Sequence, residues 1–324
     1  MTWRPDYTRS PDDRIHQGET TMKNLMKRIA AAALCLPLLG GFGLAQAADR
    51  VELEHDDMTL LGNLEMAPGS SVEDGVVLMV HGTLAHGEME IMRSMQELLR
   101  DAGYNSLAIN LSLGQDAREG MYDCDSTHRH KHEDAVDEIA AWVEWLKGEG
   151  AERLAVMGHS RGGNQVARYL ADQADPMVEK AVLLAPQTWS EGYYAKDYQA
   201  NYDTELGPLL EKAEALVDEG KGDEIMEMDF IYCPDTRAAA SSVVSYYRED
   251  PRMNTPTVLG ETSIETLVVV AGADDTVTDL EEKMGERVED DHIEMTVVSG
   301  ADHMFRDLFL YDAADAATAF IGWQ

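Results

Sequence analysis

Short apolar runs and longer stretches with helical spacing alternate along most of the chain. Val76 to Val80, Leu154 to Met157, Ala181 to Ala185 and Leu267 to Ala271 are continuous apolar segments, as expected of strands buried on both faces, and Leu107 to Leu111 and Ile293 to Val298 are predominantly apolar segments that read as strands as well. Between them, Met92, Met95, Leu98 and Leu99 recur at helical spacing before Gly103, and Val136, Ile139, Val143 and Leu146 do the same. Residues 51–69 read as an opening hairpin, and residues 309–323 as a closing helix. This alternation predicts an α/β fold, a mostly parallel sheet covered by helices on both faces, with functional groups at the carboxyl ends of the strands. Residues 189–261 interrupt the pattern. They are rich in Tyr, Glu and Asp and read mainly helical, at 209–219 and 238–247, which suggests either a cap over the sheet or a small domain apart from it.

The N-terminal region has a different pattern. Lys23, Lys27 and Arg28 precede an apolar stretch ending in Ala45-Gln46-Ala47. That is the layout of a secretory signal peptide over residues 22–47, with cleavage expected after Ala47 and a periplasmic or secreted product. Residues 1–21 read as an upstream start-site extension, and 48–324 as the mature domain. The apolar run contains Pro37 and is shorter than the roughly 20 residues of a spanning helix, so stable membrane insertion after cleavage is not expected. Formal charge is −35, which disfavours nucleic acid and anionic membrane as partners. Oligomeric state is not readable from the sequence. In an oxidising compartment, Cys124 and Cys233 are either a disulfide or two separate buried thiols.

The segment Gly158-His159-Ser160-Arg161-Gly162 has the form G-x-S-x-G between a strand and a helix. Small residues at Gly158 and Gly162 let the chain turn sharply, so that the central side chain stands clear of the sheet. A serine hydroxyl needs a base, and the base needs a carboxylate to fix its tautomer. Later strands supply both: Asp274 and Asp275 follow Ala271, and His303 follows Val298. The strand ending at Val80 leads into His81-Gly82-Thr83, so the backbone N–H groups of Thr83 and Arg161 are candidates for an oxyanion hole. His81 is expected to support that loop, and His159 to pack or line the rim.

Four segments, "VVLMVHGT", "VMGHSRGG", "VVVAGADDTV" and "SGADHMF", together resemble the α/β-hydrolase superfamily over residues 50–324. The resemblance implies an eight-stranded, mostly parallel sheet with a cap inserted after the sixth strand, where residues 189–261 fall. Its G-x-x-D pattern maps onto Gly272 and Asp275, which favours Asp275 over Asp274 as the triad acid. The expected activity is hydrolysis of a small-molecule carboxylic ester through an acyl-serine, with Ser160, His303 and Asp275 as triad and no cofactor. A peptidase, thioesterase or acyltransferase would use the same parts, and a non-catalytic binding protein could share the fold.

His128, His130 and His132 raise a metal reading. Their i, i+2 spacing shares a face only in extended chain, and no second ligand pair stands at zinc-like spacing. A solvated loop before a helix is the expectation, with a role at the active-site rim left open.

Overall fold

A computed structural model describes residues 48–285 and 287–323. The signal peptide and upstream extension read from the sequence lie outside the described residues. The chain opens with the antiparallel hairpin β1 (Asp49–His55) and β2 (Met58–Glu65), turned by Asp56 and Asp57 at positive φ. Alternation follows through β3 (Val76–Val80), α1 (Glu90–Asp101), β4 (Asn105–Asn110), a two-residue β5 (Thr127–His128), α2 (Asp134–Gly148), β6 (Leu154–His159), α3 (Arg161–Gln173) and β7 (Val178–Leu184). The insertion then carries α4 (Tyr193–Tyr202), α5 (Gly207–Asp218), β8 (Ile225–Phe230), β9 (Cys233–Ala239), α6 (Ala240–Tyr247) and α7 (Thr255–Leu259). Last come β10 (Glu265–Ala271), α8 (Leu280–Met284), β11 (Ile293–Val298) and α9 (Phe309–Ile321).

The expected eight-stranded sheet is present, in the order β1-β2-β4-β3-β6-β7-β10-β11, parallel from β4 to β11. Period-two alternation divides its side chains between two layers. From β3, Val76, Leu78 and Val80 join the core with Ile139 and Trp142 of α2 and Val166 of α3. Val77 and Met79 join the opposite layer with Met95 of α1 and Ala313 and Ala317 of α9. Both faces of the central strands β3 and β6 are therefore dry, which is why they read as apolar runs, whereas the edge strand β11 is half exposed and carries Glu294 and Thr296.

The insertion differs from its mainly helical reading. β8 and β9 form an antiparallel hairpin, and β5 adds to β9 in parallel, giving a second, three-stranded sheet. Met226, Met228 and Phe230 alternate inward against Tyr198, Val243 and Tyr247. Cys233 of β9 is disulfide-bonded to Cys124, which follows β4, so the hairpin is covalently fastened to a loop of the main sheet. Among the described residues no helix is long and apolar enough to cross a membrane.

Candidate active site

Ser160 sits between the end of β6 and the start of α3 with φ 56° and ψ −122°, a strained conformation for a side-chain-bearing residue. Close packing enforces the turn. A Cβ on Gly158 would lie 2.5 Å from the Gly162 carbonyl oxygen, and one on Gly162 would lie 2.3 Å from the His81 carbonyl oxygen. Both glycines of the motif are thus required by contact, not only by backbone freedom. Gly163 is as constrained, since its Cβ would stand 2.8 Å from that of Pro186.

The structure brings Ser160 and His303 together from strand ends far apart in sequence. His303 Nε2 is 2.9 Å from Ser160 Oγ, and His303 Nδ1 is 2.7 Å from a carboxylate oxygen. That carboxylate belongs to Asp274, which corrects the expectation of Asp275. After β10 the chain turns at once, with the Asp274 N–H donating to the Ala271 carbonyl. The tight turn aims the third residue past the strand at the histidine. Asp274 Oδ1 accepts from the N–H groups of Thr276 (2.7 Å) and Val277 (2.9 Å), which leaves Oδ2 for His303. Asp275 is exposed. Burial opposes ionisation of Asp274, but the bond and charge of His303 and the two backbone donors outweigh it and lower its pKa.

His81 is fully buried. Its Nδ1–H donates to the Gly82 carbonyl, while Nε2 accepts from the Leu111 N–H (3.1 Å). Burial first, and then the Arg118 charge, lower its pKa to about 3, so it holds the loop as a neutral ring. His159 donates through Nε2 to the His303 carbonyl (2.9 Å), and burial lowers its pKa to about 4. It fixes the backbone that carries the candidate base. Asp302, beside His303, is engaged by Arg306 at 2.6 Å.

The candidate oxyanion residues meet at the same place. Gly82 is pressed against Ser160, with its missing Cβ 3.2 Å from Ser160 Cβ. As the first residue of α3, Arg161 has an N–H with no i−4 partner in the helix. The Arg161 side chain also donates, through Nε, to Thr83 Oγ1 at 3.0 Å. Thr83, Ser160 and Arg161 line a cavity of about 200 Å³, closed by Trp189 and by Tyr194, Ile231, Tyr232, Tyr246 and Tyr247 of the insertion. The insertion therefore covers the strand ends and is not a body apart from them.

The histidine segment departs from the solvated-loop expectation. His128, His130 and His132 are each at most 1% exposed, because the β8–β9 hairpin and α6 pack over them. Tyr246 O–H donates to His130 Nδ1 (2.8 Å), and His130 Nε2–H to His128 Nδ1 (3.0 Å). His132 donates through Nε2 to Asn164 Oδ1 (2.9 Å) and accepts from Arg161 Nη1 (3.3 Å). Among the described residues no three acidic, histidine or cysteine side chains are grouped to hold a metal ion. The signals missed in the sequence were the alternating "IMEMDF" of β8 and the polar histidine run, whose burial depends on that hairpin.

Comparison with known proteins follows the same lines. Similar solved structures include Est1E from Butyrivibrio proteoclasticus (14% identity, TM-score 0.60, 84% of this chain and 98% of that one). An esterase of Pyrococcus furiosus (19%, TM-score 0.57, 85% and 90%) and a monoacylglycerol lipase of Paleococcus ferrophilus (18%, TM-score 0.58, 82% and 100%) share the fold as well. No curated protein sequence matches. Residues 77–319 match the Alpha/beta hydrolase family as a whole, including the strand ends that carry Ser160, Asp274 and His303. The chain belongs to the α/β hydrolase family.

Proposed function

We propose that the protein is an exported serine hydrolase that cleaves a small-molecule carboxylic ester through an acyl-serine intermediate. The observation that carries this reading is the unbroken contact from Ser160 Oγ through His303 to Asp274. With its Nδ1–H given to Asp274, His303 presents a free lone pair on Nε2 to the Ser160 hydroxyl. Ser160 attacks the ester carbonyl as its proton passes to His303, and the backbone N–H groups of Thr83 and Arg161 receive the charge that develops on oxygen. His303 returns the proton to the departing alcohol, then takes one from the water that releases the acid. Esters are favoured over amides and thioesters because the similar structures include esterases and a lipase, and Est1E has been solved with ferulic acid bound. Export is favoured by the signal-like segment at residues 22–47 and accords with the Cys124–Cys233 disulfide. Reaction of purified protein with a fluorophosphonate probe tests the chemistry: wild type should label and Ser160→Ala should not. Labelling that persists in Ser160→Ala, or its absence from folded wild type, would overturn the assignment.

A further inference from the structure

The side chain of Arg161 has no role in the proposed mechanism, yet it is held at the nucleophile. Its partners are Thr83 Oγ1, His132 Nδ1 and the face of Tyr246, whose ring centroid lies 5.1 Å from the guanidinium carbon. Every one of these is uncharged, and among the described residues no carboxylate lies within ion-pair distance of it. The other cation of the cavity, Lys283, is neutralised by Asp279 at 2.9 Å. Asp197, exposed on α4, also lines the cavity and attracts Arg161 through space, but it is not within ion-pair distance of it. Keeping a guanidinium in so enclosed a place without a counter-ion is costly unless something else supplies the charge.

Two further polar groups are buried at the cavity. Tyr194 is 7% exposed, and its buried hydroxyl faces Arg161 and Gln187 without a well-formed hydrogen bond; the buried Trp189 indole nitrogen has no hydrogen-bond partner. Buried polar atoms are ordinarily paired. The indole nitrogen can only donate, the hydroxyl is free to donate, and the guanidinium has N–H groups beyond those given to Thr83 and His132. A cavity supplied with donors and a guanidinium that no carboxylate contacts fits a ligand that brings acceptors and negative charge.

We propose that the substrate is an anionic ester, one whose acyl part ends in a carboxylate, and that Arg161, with Tyr194 and Trp189, binds that carboxylate while Ser160 attacks the ester. This rests on the serine hydrolase reading and narrows its substrate class. The planar guanidinium fork suits a carboxylate, and selection at the cavity is local, so the acidic surface does not preclude it. Turnover adds water to the half-ester and releases an alcohol and a dicarboxylate.

The test uses methyl half-esters of the dicarboxylic acids from malonate to adipate, each beside its neutral counterpart in which the free carboxyl is a carboxamide. Calorimetric titration of Ser160→Ala protein measures binding without turnover. At the chain length that fits, the half-ester should bind at least about tenfold more tightly than its amide, as expected for charge-assisted hydrogen bonds. Adding Arg161→Met should erase the ratio, and Arg161→Lys should restore part of it. Tyr194→Phe keeps the ring and removes only the hydroxyl, so it should reduce the ratio severalfold in a folded protein even if the arginine variants fold poorly. With Ser160 intact, the same preference should appear in kcat/KM, mainly through KM. Equal affinity across the series, or a preference unchanged in both Arg161→Met and Tyr194→Phe, would overturn the proposal. If Ser160 reacts with fluorophosphonate and no preference is found, only this inference falls; if folded wild type does not react, the hydrolase reading falls and takes it along.

Discussion

Replacing Asp274 by asparagine should lower kcat by about 10⁴ with the protein still folded, whereas Asp275→Asn should leave it within about twofold. Asp274 accepts three hydrogen bonds, from the N–H groups of Thr276 and Val277 on Oδ1 and from His303 on Oδ2. An asparagine that keeps its oxygen toward Thr276 and Val277 must turn its NH₂ toward His303 Nδ1. That nitrogen then accepts, the ring proton moves to Nε2, and the lone pair facing Ser160 is lost. Flipping the amide restores the histidine bond but sets NH₂ against two backbone N–H groups, at roughly 1 kcal/mol for each bond lost and more for the opposed donors. A catalytic histidine in the wrong tautomer loses about 10⁴ in rate, or about 5 kcal/mol of transition-state stabilisation. Asp275 makes only a long contact, at 3.5 Å, with the Thr276 hydroxyl. The assay is hydrolysis of 4-nitrophenyl acetate at pH 8, with urea unfolding of each variant to certify the fold. A loss of more than a hundredfold in Asp275→Asn, or of less than tenfold in Asp274→Asn, would refute the reasoning.

Gly162→Ala must fit a methyl group 2.3 Å from the His81 carbonyl oxygen, so we expect at least about 2 kcal/mol of destabilisation; an unchanged urea midpoint would contradict it. The Cys124–Cys233 bond joins positions 109 apart, and Cys233→Ser should remove about 4 kcal/mol, with Cys124→Ser adding little to that loss in urea titrations of the double variant. Burial lowers the pKa of His81 to about 3 and of His128 and His159 to about 4. The unfolded chain therefore takes up protons first as pH falls below about 6.5, and at pH 5 each ring should cost about 2 kcal/mol relative to pH 8, read as falling urea midpoints. Glu138 has the opposite sign: burial raises its pKa from 4.5 to about 7, so its contribution is full below pH 4.5 and is lost as pH rises through 7. Glu138→Gln should accordingly be more stable than wild type at pH 8, and a less stable variant would count against buried-acid destabilisation.

Much of the site was legible because strand ends are marked by changes in composition. β3 and β11 run over Val76–Val80 and Ile293–Val298, the segments read as strands from the sequence, and the residues just beyond them were placed accordingly. The pattern does not encode the length of the turn that follows a strand. One residue less between Gly272 and the acid separates Asp274 from Asp275, and a motif with fixed spacing cannot detect it. The histidine run failed for another reason: its polarity predicts water, but its environment is set by a hairpin about a hundred positions later. Burial of polar groups is a tertiary decision, and only a donor and acceptor inventory of the folded chain reveals it. The side chain of Arg161 was missed likewise, since its position in the motif directs attention to its backbone.

The insertion and the catalytic elements are joined more firmly than a cap resting on a sheet would need. Cys233 binds the hairpin to the segment after β4, Tyr246 of α6 continues into His130 and His128, and the same Tyr246 ring lies beside Arg161. Each link is buried and polar or covalent, so displacing the insertion would break several of them together. Histidines stripped of their partners and an exposed guanidinium would result. The position of the Arg161 side chain is thus set from three directions: by Thr83 on the loop after β3, by His132 before α2 and by Tyr246 above it. An arginine held so tightly loses little further side-chain freedom on meeting a ligand, which is the condition under which a single cation gives strong discrimination between charged and neutral esters.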